Sequence, residues 1–377
     1  MRRPGRRLAG MTALVPPELI YASGWRALDV NNWIPGSGMR PRAKLCAWTA
    51  CWREAILRRR IRLDALVVVA GGDCHNALAD GQRAARAVPR AHYFFYPFDG
   101  DTGYMRCQLE DLASFLEEGC RGAPPPVETS KVLDTIARLR RLGLRLDRLR
   151  ALGMADPSAT FRTLVSFSDF EGDPERFLTK VEKMVRDAGG GERESCAQLQ
   201  RGAGSGGSRA RGSPGKGPCR GTGQELRRGA GLAGVRSRCG PEGPRVALIG
   251  VPPIYHDFHQ ACTGAGLRIV FDELPYEFLR LGGRTPDEMA RSYATYTFAR
   301  PVEYRLSFLK RELRRRGVDG VIHYAQFTCH HLLEDPLFRE ELDLPMLTVQ
   351  GDLPGETPAQ VRLRLEAFAE LLGAGGG

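Results

Sequence analysis

Three cysteines lie where an apolar stretch or its flank gives way to a loop, and thiols at such places are suited to bind a metal or a cluster: Cys46, Cys74 and Cys329. Cys74 follows the apolar run 65–70, and Cys329 follows the run 319–325. Both runs are typical of buried parallel strands. Because ligands collect beyond the carboxyl ends of strands in open α/β sheets, we expect these two thiols to face one ligand. The alternative is that each cysteine is a small, buried core residue.

Histidines beside these cysteines offer a second chemistry. His75 follows Cys74 directly, and His330 follows Cys329. Two cysteines with two histidines would suit tetrahedral zinc, although no short Cys-x-x-Cys or His-Glu-x-x-His unit brings such ligands together. Polar contacts at loop and helix starts are the simpler explanation for the histidines. One of them is also a candidate proton donor to a substrate.

Alternating strands and helices must position these side chains. The expected strands are 65–70, 92–96, 245–251, 268–271, 319–325 and 345–350. The expected helices are a short one within 16–24, then 49–60, one from 75, 109–118, 132–152, one from 255, 286–316 and 358–372. The alternation predicts an α/β fold with two doubly wound parallel-sheet domains of the Rossmann-like or flavodoxin-like type.

The chain divides into four expected units. Residues 1–125 form an N-terminal α/β domain, 126–187 a helical connection, and 245–377 a C-terminal α/β domain with the third cysteine. Segment 188–244 is rich in Gly, Ser and Arg, and we expect it to be disordered because it cannot bury enough apolar surface. A misread frame in a GC-rich gene would give the same composition.

The formal charge of +11 suggests a polyanionic partner, but most of this charge lies in one segment. Residues 186–245 hold twelve Lys or Arg against five Asp or Glu. We therefore predict no nucleic-acid partner for the folded units, while a basic tail that binds polyanions is the alternative for this segment. No apolar run approaches the ~20 residues that cross a bilayer, so we predict no membrane partner. Irregularly spaced cysteines in a long chain favour a reducing, cytoplasmic location.

Motifs throughout the chain, outside 186–245, resemble one known family. They are the opening segment 17–24, Leu45-Cys46, Gly72-Asp73-Cys74-His75, Asp319-Gly320-Val321-Ile322 ahead of Cys329, Leu344-Pro345-Met346-Leu347, Gly351-Asp352 and the closing helix at 362–368. They are similar to the 2-hydroxyacyl-CoA dehydratase and benzoyl-CoA reductase subunits of the D-component type. His75 departs from the family pattern, in which an aspartate is common at this position.

This resemblance implies a 4Fe-4S cluster held by Cys46, Cys74 and Cys329 between two α/β domains, with one iron left open. It also implies a second homologous subunit and an ATP-dependent activator protein that delivers an electron to the pair. The expected reaction is the elimination of water from a 2-hydroxyacyl-CoA through a ketyl radical. The sequence itself carries no Gly-x-Gly-x-x-Gly fingerprint or phosphate-binding loop, so the ATP site would belong to the activator.

Several alternatives stay open. A benzoyl-CoA reductase-type electron-transfer subunit and a non-catalytic partner subunit are alternatives to the dehydratase. Cys51 competes with Cys46 as first ligand, but positions five apart on a helix diverge by about 140°, and Cys46 occupies the family-like position. Catalytic residues are not assigned; Ser23, His75 and His330 are candidates. The acyl group and the oligomeric state are also left open.

Overall fold

Two parallel sheets organise the chain in a computed structural model that describes residues 7–35, 37–42, 46–71, 74–119, 126–202 and 243–374. The first sheet has the order β2-β1-β3-β4 and contains β1 (Leu8–Met11), β2 (Arg26–Asp29), β3 (Ala65–Gly71) and β4 (Ala91–Phe95). The second sheet has the order β6-β5-β7-β8 and contains β5 (Arg245–Gly250), β6 (Arg268–Asp272), β7 (Gly320–Gln326) and β8 (Met346–Gly351). All pairings are parallel, which confirms the doubly wound α/β fold.

The described helices fall into three groups along the chain. The first group accompanies the first sheet: α1 (Pro17–Ala22), α2 (Ala47–Leu57), α3 (His75–Ala85) and α4 (Thr102–Glu118). The second group connects the sheets: α5 (Pro126–Ala151), α6 (Pro157–Val165) and α7 (Pro174–Gly202). The third group accompanies the second sheet: α8 (Phe258–Gly264), α9 (Glu273–Arg280), α10 (Pro286–Tyr293), α11 (Val302–Arg316), α12 (Asp335–Glu341) and α13 (Ala359–Ala374).

The inner strands β3 and β7 occupy equivalent places in the two sheets. Each pairs with the first strand of its sheet on one side and with the edge strand on the other. β7 is buried over its whole length, and β3 is buried from Ala65 to Val69. Strands covered on both faces are expected to be apolar throughout, and this explains why the two runs are visible in the sequence.

Helices α9 and α10 follow β5 and β6 in the sequence, but their side chains contribute to the apolar core of the first sheet. Leu279 of α9 and Tyr293 of α10 belong to the same apolar cluster as Met11 of β1 and Val67 of β3. The C-terminal half therefore completes the core of the N-terminal half. The expected unit boundaries stay a prediction. The packing of α9 and α10 against the N-terminal half extends across the expected boundary between residues 244 and 245.

Buried polar contacts hold this crossing in place. Glu18 of α1 accepts a hydrogen bond from Tyr293 Oη at 2.8 Å and forms an ion pair with Arg140 Nη2 of α5 at 2.6 Å. Arg140 also donates to the carbonyl oxygen of Phe278 in α9. The glutamate of the opening motif thus joins the first sheet, the helical connection and the C-terminal half.

Two expected segments differ from the structure. The helix expected over 286–316 is two helices, since α10 ends at Tyr293 and α11 begins after Pro301, which lacks an N–H and disfavours helical backbone at the residue before it. The Gly/Ser/Arg-rich segment begins inside α7, which continues to Gly202, and residues 203–242 lie outside the described residues.

Within the described residues, no helix is both long enough and apolar enough to span a bilayer.

Candidate metal centre

The three cysteines share one local geometry, because each is the N-cap residue of a helix. Cys46 precedes α2, Cys74 precedes α3, and Cys329 precedes the 3₁₀ helix His330–Glu334. Helix N-termini present backbone N–H groups without helical partners and carry a partial positive charge, which favours thiolates and other anions. The family-like residues Leu45, Gly72 and Asp73 lie outside the described residues.

Cys74 and Cys329 are placed alike in the two sheets. Each is the third residue beyond the end of its strand, Cys74 after β3 and Cys329 after β7. The Nδ2 atom of Asn76 donates to the backbone oxygen of Thr328 at 3.2 Å. The rings of His75 and His330 lie edge to face, with centroids 6.0 Å apart. The loops that follow β3 and β7 are therefore in contact at the carboxyl ends of the two strands.

Burial keeps two of the thiols neutral in the metal-free chain. Cys46 and Cys329 are 6% and 9% exposed. Burial raises the pKa of Cys46, and it raises the pKa of Cys329 to about 11. A negative charge on Cys46 would raise the pKa of Cys329 further. Metal or cluster binding would therefore release protons from these groups.

Cys74 is more accessible than the other two cysteines. Its residue is partly exposed, and its Sγ accepts a hydrogen bond from the backbone N–H of Ala77 at 3.4 Å. This contact is a side-chain cap of α3, which satisfies one of the helix's unpaired N–H groups.

Cys51 is a core residue of the N-terminal half. Its side chain is fully buried in an apolar cluster with Trp52 and Leu63, and its Sγ contacts the backbone oxygen of Met39 at 3.7 Å. Burial raises its pKa to about 12. These contacts favour Cys46 over Cys51 as the first ligand.

Ser23 is not brought to the cysteines. It follows α1 and lies three residues before β2, whose first residue Arg26 pairs with Leu8 at the start of β1. Because α1 runs back across the sheet from the end of β1, Ser23 lies at the edge where the strands begin. The cysteines lie at the opposite edge.

The histidines beside the cysteines divide by exposure. His75 is exposed, His330 is partly buried, and burial together with the nearby His331 lowers the pKa of His330 to about 4. His331 is almost fully buried, with its Nδ1 3.1 Å from Glu334 Oε2. Among the described residues, no three or more His, Cys, Asp or Glu side chains are grouped to hold a metal. The thiols thus have the donor type that a cluster needs, but within the described residues they do not converge on one point.

A buried ionic network behind Cys329 was not predicted from the sequence. Arg305 of α11 donates to both carboxylate oxygens of Glu273 at 2.7 Å and also contacts Glu334. Its only signal in the sequence is the acidic pair Asp272-Glu273 at the end of β6, which does not reveal a partner more than thirty residues away in α11. In the structure the two acids diverge, since Asp272 binds His259 at 2.9 Å.

Comparison with known proteins identifies the family. Residues 12–372 match the family described as 2-hydroxyglutaryl-CoA dehydratase, D-component. A comparison with curated proteins gives no match. The family match includes all three N-cap cysteines and seven of the eight strands described here, and it confirms the resemblance found in the sequence. The chain therefore belongs to the 2-hydroxyglutaryl-CoA dehydratase D-component family and is a 2-hydroxyacyl-CoA dehydratase-like subunit.

Proposed function

We propose that the chain is the iron–sulfur subunit of a 2-hydroxyacyl-CoA dehydratase-like enzyme, a hydro-lyase in which Cys46, Cys74 and Cys329 hold a 4Fe-4S cluster. The observation that supports this most directly is that three cysteines cap helix N-termini and that two of them, Cys74 and Cys329, follow equivalent strands whose loops are in contact. When bound by three thiolates, such a cluster supplies an electron and an open Lewis-acid iron for radical elimination of water from an acyl-CoA.

The residues of this chain have distinct parts in that proposal. Burial of Cys46 and Cys329 excludes water from the sulfurs, and the helix N-termini direct N–H groups toward them. His330 is neutral near pH 7 in the metal-free chain, because its pKa is lowered to about 4. A pKa this low makes His330 a weak base near pH 7, so of the two candidates the exposed His75 is preferred for proton transfer.

The family also supports partners. A D-component implies another component in a multisubunit dehydratase, and we assign this part to a second homologous subunit. Exposed apolar side chains beside Cys329, those of Phe327 and Leu333, suit an interface at this edge. An ATP-dependent activator would supply the electron, since the sequence carries no phosphate-binding loop. A reducing cytoplasm would keep the thiols available.

The test is anaerobic reconstitution with iron and sulfide, followed by quantitation of both and electron paramagnetic resonance. The variants are Cys46→Ser, Cys74→Ser and Cys329→Ser, with Cys51→Ser as the matched control. We expect about four irons per chain in the wild type and in Cys51→Ser, and loss of the cluster from the other three variants. A ligand-set variant that retains full iron removes that cysteine from the proposal. Absence of a cluster from the wild type rejects the proposal as a whole.

Substrate screening of the reconstituted protein with its partners then separates the dehydratase from a reductase. Turnover of 2-hydroxyacyl-CoA thioesters with release of water supports the proposal. Reduction of an aromatic acyl-CoA without dehydration would replace it with the benzoyl-CoA reductase-type function.

A further inference from the structure

Arg305 lies beneath the loop that carries Cys329. Its side chain is 1% exposed, and the rings of Phe298 and Phe338 lie over the guanidinium at 4.3 and 5.2 Å. Burial of a permanently charged group is unfavourable unless its donors are satisfied. The contacts of Arg305 are therefore the feature to explain.

One side of the guanidinium is anchored to the sheet. Nε and Nη2 donate to Oε1 and Oε2 of Glu273, each at 2.7 Å, in a bidentate pair. Glu273 Oε2 in turn accepts the backbone N–H of Gly250 at 2.8 Å. Gly250 ends β5 and Glu273 follows β6, so this anchor joins α11 to the carboxyl ends of two strands.

The other side of the guanidinium holds the turn after Cys329. Nη1 contacts the carboxylate of Glu334 and lies 3.1 Å from Nδ1 of His331, which is itself 3.1 Å from Glu334 Oε2. His331 and Glu334 both belong to the 3₁₀ helix that Cys329 caps, and the backbone N–H of Leu332 donates to the Cys329 carbonyl oxygen at 3.1 Å. A helix of this length has too few internal hydrogen bonds to keep its own shape.

The residue before Cys329 shows that the turn needs external support. Thr328 has a φ of 65°, in the left-handed region that a β-branched residue rarely adopts. Such backbone persists only where the surrounding contacts hold it. The contacts around this turn include the Arg305 network, the Asn76 hydrogen bond to the Thr328 oxygen, and the backbone hydrogen bonds from Phe327 to Gly351 and from Cys329 to Gln326.

We infer that Arg305 is a positioning residue for Cys329: acting through Glu334, it fixes the 3₁₀ helix that Cys329 caps. The contacts of Arg305 with Glu273 and Glu334 carry this part of the inference. The further step, that Arg305 orients the sulfur toward a bound cluster, rests on the proposed function.

The test uses the metal-free, reduced full-length chain and measures alkylation of individual cysteines by iodoacetamide with mass spectrometry. Arg305→Lys keeps the positive charge but loses the planar guanidinium with its fixed set of N–H donors, so the side chain cannot bind both Glu273 and Glu334. Glu334→Ala removes only the turn side of the network, at a side chain that is 21% exposed. We expect Cys329 to react about tenfold faster in both variants, which corresponds to loss of about one hydrogen bond.

Two controls separate local from global effects. Cys262 is fully buried in the apolar cluster of the second sheet and reports general unfolding, so its rate should stay unchanged. Arg316→Lys makes the same substitution on the same helix, at a buried arginine that binds Asp147 at 2.6 Å. It should leave Cys329 at the wild-type rate. Unchanged Cys329 reactivity in the test variants, or equal acceleration of Cys262, would overturn the inference.

Reconstituted protein gives a second readout. We expect Arg305→Lys to bind iron with an altered electron paramagnetic resonance signal or reduction potential, and Arg316→Lys to match the wild type. If the wild type binds no cluster, the proposed function fails while the alkylation result for the turn still stands. If the cluster forms but neither alkylation nor spectrum changes, only the role of Arg305 fails.

Discussion

Cys74 and Cys329 follow equivalent strands of two sheets with the same strand order, and each lies three residues beyond its strand. Their supports differ. Cys74 caps the eleven-residue α3 and is partly exposed, whereas Cys329 caps a five-residue 3₁₀ helix and is buried. A long helix maintains its own N-terminus through many internal hydrogen bonds, but a single short turn requires contacts from outside. Equivalent positions in a fold can thus rely on different interactions.

The buried charges follow the same division. In the N-terminal half, Arg53 of α2 binds Asp80 of α3 at 2.5 Å and ties together the helices that begin after Cys46 and Cys74. In the C-terminal half, Arg305 binds two carboxylates directly behind Cys329. The first arrangement joins two stable helices, and the second organises the turn itself.

The largest expected effect on the free energy of unfolding comes from replacing the two buried arginines, Arg305 and Arg53, one at a time. Arg305→Met leaves Glu273 buried without a cation and should lower the free energy of unfolding by about 3–5 kcal/mol. Arg53→Met should lower it by only about 1–3 kcal/mol, because Asp80 keeps Arg83 at 3.8 Å. Urea denaturation of both variants measures the difference. Equal losses would show that the two halves depend on their buried ions to the same degree.

The pH dependence of the free energy of unfolding should also differ between the contributions of the two halves, but by a smaller amount. In the N-terminal half, burial and the neighbouring Asp29 raise the pKa of Asp169 to about 7. In the C-terminal half, burial acts to raise the pKa of Glu334. His331 and Arg305 favour the charged form more strongly, so the pKa is lowered to about 2. Asp169 therefore stabilises the fold at low pH, and this stability is lost as pH rises from about 4 through about 7. The contribution of Glu334 is lost only as pH falls from about 4.5 through about 2.

Asp169→Asn tests the first of these windows. The substitution keeps the shape of the side chain and removes its ionisation, so the urea midpoint should change less between pH 4 and pH 8 than in the wild type. Glu334→Gln provides the control, because it should leave the same interval unchanged. A wild-type slope that persists in Asp169→Asn would assign the pH dependence to other groups.

The smallest expected effect concerns backbone strain beside Cys329. Thr328→Gly relieves a positive φ but increases the freedom of the unfolded chain, so the net gain in stability should be about 0.5–1 kcal/mol or less. Thr328→Ala shortens the side chain but keeps a residue that disfavours this φ, and should give no gain. If the alanine variant is stabilised as much as the glycine variant, strain is not the cause.

The strands that carry the site could be predicted because they are buried on both faces. β3, β5 and β7 each appear in the sequence as largely apolar runs, whereas the edge strand β8 is partly exposed and less apolar. β1 and β2 have four residues each, Leu-Ala-Gly-Met and Arg-Ala-Leu-Asp, without a single β-branched side chain. Only pairing with their neighbours makes them strands, and a single sequence does not contain that information.

The site shows the same limit. Strand ends locate Cys74 and Cys329, because parallel strands end at a common edge. The partner of a buried charge depends on the tertiary fold, and Glu18 and Tyr293 meet across 275 residues. Local sequence patterns therefore predict where the thiols lie and leave open what holds them in place.

The packing of α9 and α10 on the first sheet also bears on how the protein is made. A ribosome releases β1 to β4 first, yet the apolar cluster around these strands includes Tyr293 and Phe298. While the N-terminal half is being synthesised, its apolar cluster therefore lacks the side chains that α9, α10 and the following turn contribute. The apolar surface left exposed favours association with chaperones or other chains. Native folding of this half must wait until translation has passed residue 299.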